Sequence, residues 1–331
     1  MSEVCSPANA DIYNKHKTCF TREALLRLIA AWNQSHSEAP MVGLTRKSVP
    51  ELWKALQNRM MPKCGSGSNQ EGCWVDTLLG ENATSTDALA NADAGAGAGD
   101  FAGRVKGSGS GSILHVIKSL KPRKPKEWAR EPFTWLTNFD IEAVMHQYET
   151  DTPAYRFLGV YPIDFAGKSA FGSCLFAEIC ALRIAPLVKK GIRYLGMILN
   201  LDKHDQSGSH WTSLFMCIDP KLPCYGAYYY DSVARKTPGE VSEFIKTVRE
   251  QLAEVYGSNA VPQFKEDYNR NQHQYADTEC GIFSMIYQIR WLNMLEKRRG
   301  AVTFGDIVNI KITDKDVHKL RDVLYRPPVR I

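Results

Sequence analysis

The stretch QYADTECGIFSMIYQI, residues 274–289, changes character at Cys280. Before it the residues are mostly polar; after Gly281 they are apolar on most faces. That change predicts a helix over 281–295, with Asp277 or Thr278 as its N-cap. Cys280 then falls in the first helical turn, where the helix dipole favours an anion. The thiolate is the nucleophilic form of cysteine, so a helix start suits a reactive one. Gly281 would leave room for a substrate carbonyl to approach the backbone. Taken alone, Cys280 fits equally well as one more small buried hydrophobe.

A base for such a thiol is sought upstream. The stretch HWTSLFMCI, residues 210–218, reads as a strand. His210, Thr212, Leu214, Met216 and Ile218 share one face; Trp211, Ser213, Phe215 and Cys217 share the other. The strand follows Ser207-Gly208-Ser209, which puts His210 at its mouth. A histidine in such a place is more often structural. His204 is a rival base but lies in a polar loop. The run YYYDS, residues 228–232, reads as the end of a neighbouring strand. Asp231 there can accept a hydrogen bond from imidazole Nδ1, fix the tautomer and stabilise the imidazolium. Its plainer role is to open a turn. Asp219 precedes Pro220 and has a stronger claim to a turn. Gln274 can join the Cys280 N–H in holding an oxyanion. In isolation, a glutamine in a polar loop says nothing.

Around these residues the chain divides three ways. Residues 1–80 read as a small helical module. Thr21 caps a helix over 22–33, and Ser48 with Glu51 forms a capping box before a second helix. Residues 81–112 are rich in Gly, Ala and Ser and read as a flexible linker. Residues 113–331 are expected to form one domain that carries the candidate catalytic residues. Helices are expected over 140–148, 173–185 (stopped by Pro186), 240–256, 281–295 and 314–324. Strands are expected over 193–200, 210–218 and 226–231. Helices and strands mixed in this order predict an α+β class.

Composition narrows the function classes. The chain has 331 residues, 44% hydrophobic and 23% charged, as in an ordinary globular protein. No apolar run is long enough to span a membrane. The net charge of +5 is mild. Its cluster at 121–126 (KPRKPK) reads first as solvated linker, and second as a weak contact with nucleic acid or an acidic partner. The nine cysteines are odd in number, with no Cys-x-x-Cys pair and no visible secretory signal. Reduced thiols in a reducing compartment are therefore expected, with no metal among them.

Together, His210-Trp211, Asp231, Gln274 and Cys280-Gly281 resemble the cysteine-protease clan of ubiquitin-like-protein (SUMO) proteases and the adenovirus protease. Within the clan, the chain most resembles the maturation proteases of African swine fever virus and other large DNA viruses. WLTNFDI, residues 135–141, is similar to a Trp-Leu-x-x-x-x-Ile segment upstream of the clan's histidine. KITDKD, residues 311–316, is similar to the viral proteases' C-terminal segment. The likeness runs over about 128–325. It implies a SUMO-protease/adenain-like fold, with a mixed central sheet flanked by helices. It also implies a cysteine endopeptidase with Cys280 as nucleophile, His210 as general base, Asp231 as its orienting group and Gln274 as oxyanion donor. Some viral relatives carry Asn where Asp231 stands. Trp211 and Trp135 would bind substrate by confining a narrow cleft for small residues, which fits Gly-Gly sites. No metal or organic cofactor is implied. The implied partner is a protein substrate, a viral structural polyprotein precursor cut in host cytoplasm and virion during maturation. The alternative is an isopeptidase acting on SUMO or ubiquitin-like modifiers. A silent binding module is disfavoured by the intact residue set.

Overall fold

A computed structural model of the chain describes residues 4–80, 110–298 and 301–327. The expected linker at 81–112 lies outside these residues except for its last three. The chain forms two compact units, Met1–Pro132 with Arg321–Ile331, and Phe133–Leu320. Segments 114–132 and 321–327, assigned from sequence to the catalytic domain, therefore fold with the N-terminal unit.

The N-terminal unit is helical: α1 (Ala10–His16), α2 (Arg22–Ser35), α3 (Val49–Cys64), α4 (Gln70–Leu79) and α5 (Ser110–Ile117). Thr21 Oγ accepts the Ala24 N–H at the start of α2, and Ser48 with Glu51 caps α3 as a reciprocal box. Leu25, Leu28, Leu52, Leu56 and Trp74 are fully buried between these helices. The basic cluster is not a solvated run. Arg123 is buried and lies 3.8 Å from Asp76, while Lys124 pairs with Asp322. Asp76 is itself held by buried Arg326 at 2.6 Å. Positive charge placed this way serves the unit's own carboxylates.

The expectation of free thiols is corrected. Cys5–Cys19, Cys64–Cys73 and Cys174–Cys180 are disulfides, and Cys217, Cys224 and Cys280 are free. One of these pairs joins two helices. Cys64 ends α3 and Cys73 lies in the first turns of α4, so the turn between the helices brings their Cα atoms to 5.7 Å. Spacing along the chain does not show this.

The second unit is built on five strands: β1 (Tyr155–Pro162), β2 (Tyr194–Asn200), β3 (Trp211–Cys217), β4 (Gly226–Tyr230) and β5 (Lys265–Tyr268). They lie in the order β1-β2-β3-β4-β5. The outer pairs are parallel and the inner pairs antiparallel, so the sheet is mixed. Its helices are α6 (Asn138–Asp151), α7 (Ala177–Cys180), α8 (Ile184–Lys189), α9 (Gly239–Tyr256), α10 (Cys280–Lys297), α11 (Phe304–Val308) and α12 (Asp314–Lys319). Every residue of β3 is buried, as expected of a strand covered on both faces. On one face, Leu195, Met197, Leu214, Met216 and Tyr229 share a core with Val241, Phe244 and Val248 of α9. On the other, Phe215 stacks on Trp291 of α10 with ring centroids 4.7 Å apart. Gln288 of α10 donates to Ser213 Oγ at 2.7 Å and to the Leu214 carbonyl at 2.8 Å. Buried polar bonds of this kind fix the helix along the sheet as well as against it. The α+β class with a mixed sheet flanked by helices is the one expected.

Several elements differ from the sequence reading. β1 and β5 were not foreseen: β5 reads KEDY, a charged edge strand with no apolar alternation. The helix expected over 173–185 is two short ones, α7 and α8. Pro186 stands in the first turn of α8, where its missing N–H costs nothing, so it helps open a helix rather than stop one. The helix expected over 314–324 splits into α12 and α13 (Arg321–Leu324). Among the described residues, no helix is long and apolar enough to cross a membrane.

Candidate active site

The sheet register brings His210 and Asp231 together. Ser213 of β3 pairs with Tyr230 of β4 in antiparallel fashion. His210, just before β3, and Asp231, just after β4, therefore meet at one end of the sheet. His210 Nε2 lies 2.7 Å from Asp231 Oδ1, and Asp231 is fully buried. The ring nitrogen facing Asp231 is thus Nε2 and not Nδ1 as expected. The Cys280 thiol is near enough to the imidazole to help raise its pKa. With Nε2 committed to Asp231, Nδ1 is the nitrogen that remains for the thiol.

Asp231 is held at several atoms. Its Oδ1 also accepts the Val233 N–H at 2.9 Å. Asn269 takes the Asp231 N–H on its Oδ1 at 2.9 Å and donates Nδ2 to the Asp231 carbonyl at 2.7 Å. Asn269 is the residue that sequence reading missed. It sits in a polar stretch with no motif around it, and only the fold shows that it brackets Asp231.

Cys280 is the first residue of α10 and is 1% exposed. Glu279 is the N-cap, in place of Asp277 or Thr278, and its side chain makes no capping bond. The helix start leaves N–H groups directed toward the sulfur's surroundings. Burial pushes the His210 imidazole toward its neutral form. The hydrogen bond to Asp231, the nearby Cys280 side chain and the charges of both outweigh this and bring its pKa up to about 9.

Gln274 is buried beside this group. Its backbone N–H donates to the Ser232 carbonyl at 3.0 Å, and Ser232 Oγ donates to its Oε1 at 2.6 Å. A hydroxyl can donate or accept, so the Ala276 carbonyl, which only accepts, settles which end of the amide is nitrogen. Nε2 gives one hydrogen to the Ala276 carbonyl at 2.5 Å. An amide nitrogen carries two hydrogens, so one donor remains.

The two tryptophans take different places. Trp211 is buried and donates its indole N–H to the Leu136 carbonyl at 3.0 Å. Trp135, one residue before Leu136, is 41% exposed. Gly281 packs closely against this wall. A Cβ there would lie 2.9 Å from Leu136 Cδ1 and 3.2 Å from Trp211 Cδ1. His204, the rival base, pairs with Asp164, which holds its Nδ1 at 2.6 Å and its backbone N–H at 3.0 Å, whereas the Cys280 thiol acts on His210.

Among the described residues, one group, Cys5, Cys19 and Glu71, offers three metal-ligand atoms within 4.8 Å of one another. Its two sulfurs are bonded to each other, and Glu71 already accepts hydrogen bonds from Thr18, the Cys19 N–H and Trp53. That set fits a buried structural carboxylate better than a metal centre.

No family model matches the chain. A candidate thiol protease of Acanthamoeba polyphaga mimivirus is 24% identical over 340 residues, covering 98% of this chain and 93% of that protein. A cysteine protease of African swine fever virus (strain Badajoz 1971 Vero-adapted) is 29% identical over 223 residues, covering 64% of this chain and 76% of that protein. The crystal structure of the African swine fever virus protease superposes with a TM-score of 0.54 at 20% identity, covering 84% of this chain and 89% of that one. The structural likeness is one of fold. The sequence similarity to named thiol and cysteine proteases is what makes this chain a peptidase of the cysteine type, a hydrolase.

Proposed function

We propose that Cys280 is the nucleophile, His210 its general base and acid, Asp231 the group that orients His210, and Gln274 with the Cys280 N–H the oxyanion donors. The observation that carries this is a single imidazole hydrogen-bonded to a buried carboxylate, with a helix-start thiol near enough to raise its pKa. His210 takes the thiol proton, and the sulfur attacks the scissile carbonyl carbon. The oxyanion formed is held by the two N–H donors. The C–N bond breaks as His210 returns the proton to the leaving amine. Water, deprotonated by the same imidazole, then hydrolyses the thioester and restores the thiol.

The substrate in this reading is a viral structural precursor, cut after small residues such as Gly-Gly during virion maturation in host cytoplasm and virion. Two things support it: the viral origin of the similar proteases, and the Trp211–Leu136–Gly281 wall, with Trp135 at its edge, beside the nucleophile. A second reading, an isopeptidase for SUMO-like modifiers, is favoured by relatives from three African swine fever virus isolates, which are named SUMO-1 cysteine proteases. Both use the same chemistry. The enzyme is incubated with a peptide library containing Gly-Gly sites and with fluorogenic SUMO and ubiquitin conjugates, beside Cys280→Ala. Cleavage of Gly-Gly peptides at least about tenfold faster than release from the conjugates is expected. The reverse preference assigns the isopeptidase.

A pH profile tests the role of Asp231. With the His210 pKa at about 9, kcat/KM falls on the alkaline side near pH 9, as the imidazolium that protonates the leaving group is lost. In Asp231→Asn the hydrogen bond survives but the charge does not, while burial still disfavours the imidazolium. The alkaline limb then moves to lower pH, and the rate at neutral pH stays within about tenfold of wild type. The stability linkage has the same sign. A histidine raised in the folded state stabilises it fully below its unfolded pKa and loses that contribution as pH rises through about 9. The variant's melting temperature is accordingly less sensitive to pH between about 6.5 and 9. An unmoved alkaline limb removes Asp231 from the assignment.

A further inference from the structure

The loop 275–279 joins the proposed oxyanion amide of Gln274 to the proposed nucleophile Cys280. Residues 275–277 are exposed. Exposed loops with few buried contacts open first in a folded protein. Both ends of this loop are nevertheless gripped by one short helix, α12. At the first end, the Asp314 carboxylate accepts the Tyr275 N–H at 3.0 and 3.3 Å. At the other, His318 Nδ1 lies 2.8 Å from Oε1 of Glu279, which is 2% exposed. Asp314 and His318 are four residues apart on the helix and so share a face.

The helix is itself anchored. Thr313 and Asp316 form a reciprocal capping box at its start. Val317 is fully buried. The His318 ring stacks on Phe133 with centroids 4.5 Å apart. A grip at residues 275 and 279 constrains the separation of the two groups just outside them, Gln274 and Cys280. Displacing a catalytic group by about 1 Å costs on the order of 10²-fold in rate, so that separation matters to turnover.

We infer that α12 is a positioning clamp: Asp314 and His318 hold the loop so that the Gln274 amide and the Cys280 N–H converge on one oxyanion. This rests on the assignment of Gln274 and Cys280 above. Neither clamp residue needs to touch substrate; both act through the loop.

The test is a mutant cycle on the full chain with a short peptide substrate. Asp314→Ala/His318→Ala lowers kcat by about tenfold or more with KM within about twofold. Asp314→Asn and His318→Gln, which keep an acceptor and a donor, recover most of the loss. Adding Gln274→Ala to wild type costs about 10²-fold, but adding it to the double variant costs under about tenfold, because the donor is already misplaced. Losses that multiply in full, or an unchanged kcat in the double variant, overturn the clamp. If the double variant melts below the assay temperature, His318→Ala alone carries the same cycle. A harmless Gln274→Ala in wild type, or activity in Cys280→Ala, is a different failure: it overturns the assignment on which the clamp rests.

Discussion

Cys280→Ala and His210→Ala each lower peptide hydrolysis by about 10⁴-fold or more, with melting temperatures within a few degrees of wild type. The size of the effect follows from what each atom does. Without the sulfur no acyl-enzyme forms, and the oxyanion donors are left to assist water alone. Without the imidazole the thiol keeps its proton, and the leaving amine has no acid. The small effect on stability follows from packing. Cys280→Ala removes one atom from a helix start that is held by its own backbone and by Leu136 and Trp211 over Gly281. His210→Ala leaves Asp231 with the Val233 N–H and the Asn269 bracket. Steady-state rates on a Gly-Gly peptide and thermal melts decide this. Full activity in Cys280→Ala rules out the thiol mechanism. Loss of activity only in step with loss of folding assigns both residues a structural role.

What the chain's letters reveal about this site, and what they hide, divides along physical lines. The helix at 280 and the strands bearing His210 and Asp231 are legible because their signals are local: an abrupt change to apolar residues, an alternating run, a turn-forming flank. That the two strand ends meet is one step further and follows from antiparallel pairing of neighbours. The ring nitrogen facing Asp231 is not legible, since it depends on where a separate helix places the thiol. Asn269 is invisible for the same reason: it binds the backbone of Asp231 from 38 residues away, by bonds that any nearby Asn could make. β5 carries charge at three of four positions and reads as loop until β4 lies beside it. The disulfides depend on how the chain folds back on itself, and the grip of α12 on the loop joins residues 39 apart. Tertiary contact supplies each of these, and local pattern has no access to it.

Gln274→Ala lowers kcat by about 10²–10³-fold with a much smaller change in KM. The difference between the two constants is the informative part. An amide that meets the carbonyl oxygen only when it bears charge adds little to substrate affinity, and its loss is felt in turnover. The structure indicates how that amide is kept ready. Ser232 Oγ donates to its Oε1, the Ala276 carbonyl takes one Nε2 hydrogen, and the backbone N–H is tied to the Ser232 carbonyl. A group held at three points loses little entropy when it binds the transition state, which is the condition for a strong electrostatic contribution. Ser232→Ala is a graded control. It keeps the donor but releases the oxygen, so the amide can turn, and kcat falls by about tenfold. Gln274→Glu places a carboxylate where the oxyanion develops and is at least as damaging as alanine. Kinetics on a single peptide, with kcat and KM resolved for all three variants, decide the matter. An unchanged kcat in Gln274→Ala means that the second donor lies elsewhere, and a rise in KM alone makes Gln274 a substrate-binding residue.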